Sequence, residues 1–153
     1  MDEHVPQPAS GLFQGPLHLF PVRVYYEDTD LTGIVYHANY LRWCERARSD
    51  LLRLLGIDQR AAIEAGEGNY AVAEISIRYL APARLDDDLV VATDTEELGA
   101  ASVRLRQRAL RGGSLLAEAA VRVGFISPDG RPRRQPSAWR AAFDPLLSAK
   151  DAA

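Results

Sequence analysis

Cysteine and lysine are almost missing from the 153 residues: Cys44 is the only cysteine and Lys150 the only lysine. One cysteine excludes a disulfide within the chain and argues against a cysteine zinc site. No apolar run approaches the roughly eighteen residues that would cross a bilayer. Residues 1–21 have neither a basic start nor an apolar stretch of signal-peptide length. The expectation is a soluble, cytoplasmic protein. Gly-x-Gly-x-x-Gly, Walker and Gly-x-Ser-x-Gly motifs are lacking, so nothing points to a nucleotide cofactor or a serine nucleophile. The net charge of −3 exerts no general pull toward nucleic acid. No internal repeat is visible.

What is present is an ordinary globular composition, 47% hydrophobic and 25% charged, of one-domain length. Residues 1–19 carry three prolines and two glycines and read as a flexible leader. Val22 to Tyr26 reads as a strand. A helix follows from about Asn39 to Leu55, with Tyr40, Cys44, Ala47, Leu51, Leu54 and Leu55 at spacings of three and four. Gly56 stops it. Arg48, beside this stripe, is expected to pair with Glu45. Cys44 is expected in the core.

The period then changes to two. Tyr70–Tyr79, Leu89–Thr95, Ser102–Leu110 and Leu115–Ile126 read as strands. Ala117, Ala119, Val121, Val123 and Phe125 share one face of the last. Arg111-Gly112-Gly113-Ser114 reads as a hairpin turn, and a short helix is expected near Ala138 to Leu147. One long helix followed by antiparallel strands is α+β. Arg104, Arg106 and Arg108 share a strand face. They read equally as phosphate contacts or as a solvated or subunit-contact face.

The chemistry concentrates in Tyr26-Glu27-Asp28-Thr29-Asp30-Leu31-Thr32-Gly33-Ile34-Val35-Tyr36-His37-Ala38-Asn39. This loop sets carboxylates, a histidine and an amide directly before a helix start. Free N–H groups there suit a developing oxyanion, and a carboxylate can attack a carbonyl or activate water. The same residues also read as an Asx-rich turn that caps a helix. No further Asp/His cluster with ligand spacing lies nearby, so no metal is expected.

Val22-Arg23-Val24-Tyr25-Tyr26-Glu27-Asp28-Thr29-Asp30, Gly33-Ile34-Val35-Tyr36-His37-Ala38-Asn39-Tyr40, Glu45-Arg46-Ala47-Arg48 and Tyr79-Leu80-Ala81-Pro82-Ala83-Arg84-Leu85-Asp86-Asp87 closely resemble the 4-hydroxybenzoyl-CoA thioesterase family. Within it they are similar to the YbgC-type acyl-CoA thioesterases associated with the Tol–Pal system. The resemblance runs from about residue 20 to about residue 127. It implies a hotdog fold over residues 20–147, a curved antiparallel sheet around one long central helix, with 148–153 as a tail. It implies acyl-CoA hydrolysis without metal or cofactor at the interface of a homodimer or homotetramer. It places the catalytic aspartate at Asp30. The carbonyl-polarising N–H falls at His37, whose side chain also belongs to the motif. Leu31-Thr32 departs from the small residues or proline common in relatives.

The expectation is therefore an acyl-CoA thioesterase with Asp30 and His37 catalytic and Tyr36, Asn39 and Tyr40 around the acyl group. Two rivals stand beside it. One is a hotdog dehydratase or hydratase. The other is a non-catalytic module for an acyl carrier protein or a Tol–Pal-linked partner.

Overall fold

The computed structural model describes residues 4–147; the expected tail, 148–153, lies outside them. Six strands form one antiparallel sheet: β1 Leu12–Gln14, β2 Leu17–Arg23, β3 Asn69–Tyr79, β4 Asp88–Leu98, β5 Ser102–Arg111 and β6 Ser114–Ile126. Their spatial order is β1-β2-β4-β5-β6-β3. Helix α1, Ala38–Leu54, and the short α2, Gln59–Glu64, separate β2 from β3. A last helix, α3, spans Ser137–Phe143. The α+β reading therefore holds.

Alternation explains the sheet. On β6, Ala117, Ala119, Val121, Val123 and Phe125 are all buried; on β5, Val103, Leu105, Gln107 and Ala109 are. These faces meet α1, whose Tyr40, Trp43, Cys44, Ala47, Leu51 and Leu52 are buried. Each large side chain removed from water there contributes about 2 kcal/mol. Leu54, expected on the stripe, is instead exposed. Trp43 and Leu52 widen the buried face in its place. The two-residue hairpin at Gly112-Gly113 lies where the sequence puts it, and Gly112 adopts φ +59°.

The N-terminal boundary differs from expectation. Residues 12–14 and 17–19, within the expected leader, pair as a hairpin, and β2 continues against β4. The apolar Leu12, Phe13, Leu17 and Leu19 supply its pattern, although prolines masked it. Pro21 sits in β2 beyond Leu19, the last residue that faces β1. Among the described residues that stretch has no strand neighbour on one side, where a missing N–H costs little. Tyr26, expected to end a strand, opens a 3₁₀ turn, Tyr26–Asp28.

Arg48 also departs from expectation. Its guanidinium donates to Gln107 Oε1 at 2.9 Å, not to Glu45. Gln107 in turn donates to the Cys44 carbonyl and to Thr93 Oγ1, both at 3.0 Å. The three arginines of β5 face outward and pair with acids: Arg104 with Glu97, Arg106 with Glu118 and Arg108 with Asp94.

Candidate active site

The loop between β2 and α1 is folded by its own polar groups. Asp28 Oδ2 accepts from the Tyr25 N–H at 2.8 Å, and Thr29 Oγ1 donates to the Tyr26 carbonyl at 2.8 Å. Residues 30–33 form a tight turn: the Gly33 N–H donates to the Asp30 carbonyl at 3.0 Å. Gly33 takes φ +82°, a conformation that favours glycine. The Asp30 N–H donates to the Ile34 carbonyl at 3.0 Å, which closes a small ribbon with Thr29 opposite Val35. The ribbon is tied to the next loop where the Val35 N–H meets the Ala83 carbonyl at 2.9 Å.

Asp30 stands on this turn, exposed to solvent. Its Oδ1 accepts from the Thr32 hydroxyl at 2.5 Å and from the Thr32 N–H at 2.8 Å. Among the described residues, nothing donates to Oδ2. The Thr32 hydroxyl, and after it the Thr32 amide, hold the carboxyl below the usual aspartate range. The slight desolvation opposes them, and the charge of His37 adds a smaller lowering. Asp30 is therefore an ionised carboxylate with one oxygen unengaged.

His37 occupies the N-cap of α1. Its carbonyl accepts from Tyr79 Oη at 3.0 Å and from the Tyr40 N–H at 3.3 Å. Its ring packs against Tyr36, at 4.5 Å between centroids, and edge-on to Tyr79 at 5.9 Å. The Asn39 N–H is already bonded to the Tyr36 carbonyl. Among the described residues the N–H groups of His37 and Ala38 donate to no protein acceptor. The free amides thus begin two residues earlier than a helix start at Asn39 implies. They carry the positive end of the α1 dipole.

The five expected site residues separate into two groups. Asp30, Tyr36 and His37 are exposed; the His37 ring packs on Tyr36, and its charge acts weakly on Asp30. Asn39 and Tyr40 are buried. Asn39 Nδ2 donates to the Asp28 carbonyl at 2.8 Å, which fixes the loop. Tyr40 packs edge-on against Trp43 and Tyr79. Two contributors escaped the sequence reading. Thr32 is one; Asp-x-Thr is an Asx-turn spacing and could have flagged it. Tyr79 is the other, and no local signal links it to a residue forty-two positions earlier. Around the site, Tyr26, Leu31, Tyr36, Tyr79, Leu80 and Leu85 are exposed apolar or aromatic side chains.

Residues 32–118 match the family described as the thioesterase superfamily. The chain belongs to that superfamily. Its match begins two residues after Asp30 and includes His37. This thioesterase is 41% identical over 128 residues to the acyl-CoA thioesterase YbgC of Haemophilus influenzae, covering 83% of this chain and 94% of that one. It is 40% identical over 129 residues to the acyl-CoA thioester hydrolase YbgC of Escherichia coli O6:H1, covering 83% and 96%. A solved probable thioesterase from Bartonella henselae superposes with a TM-score of 0.74 at 36% identity, covering 78% of this chain and 99% of that one. The expected hotdog fold and YbgC-type kinship are thereby established. No helix among the described residues is long and apolar enough to cross a membrane.

Proposed function

We propose that the thioester is cleaved between Asp30 and the first amides of α1, with Asp30 as nucleophile or general base. The protein is an acyl-CoA thioesterase; this kinship is carried by the YbgC relatives, which match it over most of their length. The observation that carries the assignment of Asp30 is its pairing with Thr32. One oxygen is occupied and the other is unengaged, seven residues before the free His37 N–H.

The chemistry follows from that arrangement. The carbonyl oxygen points at the His37 N–H, where charge that develops on it is stabilised. Either Asp30 Oδ2 bonds to the carbonyl carbon, or it takes a proton from a water that does. The carbon–sulfur bond then breaks, and the departing thiolate takes a proton from Asp30 in the second case or from solvent in the first. In the first case water hydrolyses the resulting mixed anhydride. Label found in the Asp30 carboxylate after single turnover in ¹⁸O-labelled water means that Asp30 attacked and water added to the aspartyl carbonyl; where water adds to the acyl carbonyl instead, trapping the anhydride with hydroxylamine separates the two routes.

The same reading includes a dimer. β3 is an eleven-residue strand at the end of the sheet, with no neighbour beyond it among the described residues. Val72, Tyr79 and Leu80 are exposed along and just past it. A long apolar edge is a template for pairing, and a second copy provides a matching one. β1, at the other end, has three residues.

Thiol release is the test, run on acyl-CoA and on acyl carrier protein donors. Asp30→Asn keeps the shape and removes the charge. A loss of roughly a hundredfold or more is expected, the scale of a positioned base. Asp28→Asn should lose less, because Asp28 bonds to Tyr25 within the turn. Asp30→Asn within a few-fold of wild type would remove Asp30 from the mechanism.

A further inference from the structure

The peptide group that joins His37 to Ala38 faces the site at one end and the sheet at the other. Its N–H belongs to Ala38, the first residue of α1, and donates to no protein acceptor among the described residues. Its oxygen is the His37 carbonyl, which accepts from Tyr79 Oη at 3.0 Å. His37 has helical backbone angles, φ −56° and ψ −33°. In that conformation the Ala38 N–H projects from the end of the helix, as the free amides of a first turn do. A hydroxyl on β3 thus grips the oxygen of a peptide whose hydrogen is open to a ligand.

The sheet, not the loop, places this hydroxyl. Tyr79 ends β3 opposite Ala117 of β6, and its ring lies edge-on to Tyr40 at 5.5 Å and to His37 at 5.9 Å between centroids. A phenylalanine ring would make the same packing contacts. Among the described residues the one hydrogen-bond partner of the hydroxyl is the His37 carbonyl. Desolvation raises the phenol above the usual tyrosine value, and Cys44 adds to the rise. Tyr79 therefore keeps its proton, and stays a donor, throughout the neutral range.

An amide is a conjugated unit. A bond donated to its oxygen draws charge from its nitrogen and leaves the N–H a better donor. Linked hydrogen bonds strengthen one another in this way by about 10–30% per bond. The gain is largest where the acceptor is itself acquiring charge. A thioester oxygen in the ground state accepts weakly, whereas the oxyanion that follows accepts strongly.

We propose that the Ala38 N–H is a second donor to the thioester oxygen, beside the His37 N–H, and that Tyr79 is a positioning residue that strengthens it through the peptide group they share. The proposal rests on the reading above that the thioester is cleaved at this end of α1.

Tyr79→Phe keeps the ring and removes the hydroxyl. On the acyl-CoA that the thiol-release assay finds fastest, the single-turnover rate should fall roughly three- to tenfold, the scale of one net hydrogen bond. The concentration that half-saturates it should stay within about twofold, because the gain belongs to the charged stage. An unchanged rate, or a loss confined to saturation, overturns the proposal. A loosened loop would also slow the reaction, so the donor is next varied with the loop intact. Ring-monofluorinated and ring-difluorinated tyrosine at position 79 keep the bond and make the phenol progressively more acidic. At a pH where all three phenols are protonated, the rate should rise above wild type in order of acidity. A flat series reduces Tyr79 to a packing residue and overturns the relay. Ala38→lactate, an ester at the same backbone position, deletes the N–H itself. It should cost roughly tenfold or more, and Tyr79→Phe added to it should cost little further. Losses that multiply overturn the route through Ala38. Failure of the Asp30 reading shows instead as an active Asp30→Asn, so the two failures are distinct.

Discussion

Thr32 sets the charge of Asp30, the residue proposed to act on the thioester. Its hydroxyl and amide both stabilise ionised Asp30 and neither helps the neutral acid, so the folded carboxyl lies below the ordinary range. A reaction that needs the carboxylate loses rate only as pH falls through that lowered value. Thr32→Val removes the hydroxyl and keeps the amide. The acidic limb of kcat/KM should therefore move to higher pH, toward the usual aspartate value of about 3.9. A limb that stays in place would mean that another group produces it. In the proposed mechanism His37 works through a different atom. Its N–H is positioned by α1 whatever the side chain is, and its ring is packed between Tyr36 and Tyr79. His37→Ala should retain measurable hydrolysis and lose less than Asp30→Asn. Equal losses in folded protein would assign the imidazole an obligatory role. The Asp30–His37 loop was legible because its members are sequence neighbours. Tyr40 stands on the apolar stripe of α1 and is buried as that stripe implies; Tyr79 and the inward turn of Asn39 were not legible, because they depend on which side of α1 faces the sheet at its first turn.

At the level of elements, the N-terminal hairpin is clasped to α1 by one carboxylate. Asp50 accepts from Ser10 Oγ and the Gly11 N–H, both at 2.9 Å, and its Oδ2 lies 2.8 Å from Nε2 of the fully buried His18. Burial pushes the Asp50 carboxyl up, but the bonds from His18, Gly11 and Ser10 outweigh it and leave the carboxyl lowered. A lowered folded value stabilises the protein above the unfolded value, about pH 3.9, and that contribution fades as pH falls through the folded one. Asp50→Asn should lower stability by about 1–3 kcal/mol and flatten the acid side of the Tm-versus-pH curve. An unchanged Tm would mean that the hairpin is held by packing alone. The β5–β6 hairpin and the buried face of β6 could be read directly, since alternation and a Gly-Gly turn are local. The Arg48 partner could not. Local spacing offers Glu45, and the actual partner, Gln107, is fifty-nine residues away on β5. The same limit hid the first part of β2, residues 17–21, whose identity as a strand depends on β4 beside it, while Val22 and Arg23 were read as strand.

Among the described residues, the sheet leaves its longest edge, β3, unpaired. Sedimentation at assay concentration should give a dimer or larger species, and an active monomer would contradict the proposed pairing through β3. The order of the sheet has a further effect, on synthesis. β3 is made at residues 69–79, but its partner β6 spans 114–126, and β4 and β5 come between them in the chain. A nascent chain that has emerged only to β5 holds β3 with nothing on either side. Tyr79, which fastens the His37 carbonyl, then has no strand to fix it. Contacts of such long sequence separation form late, so the loop that carries Asp30 is translated early and braced last, when residue 126 has left the ribosome.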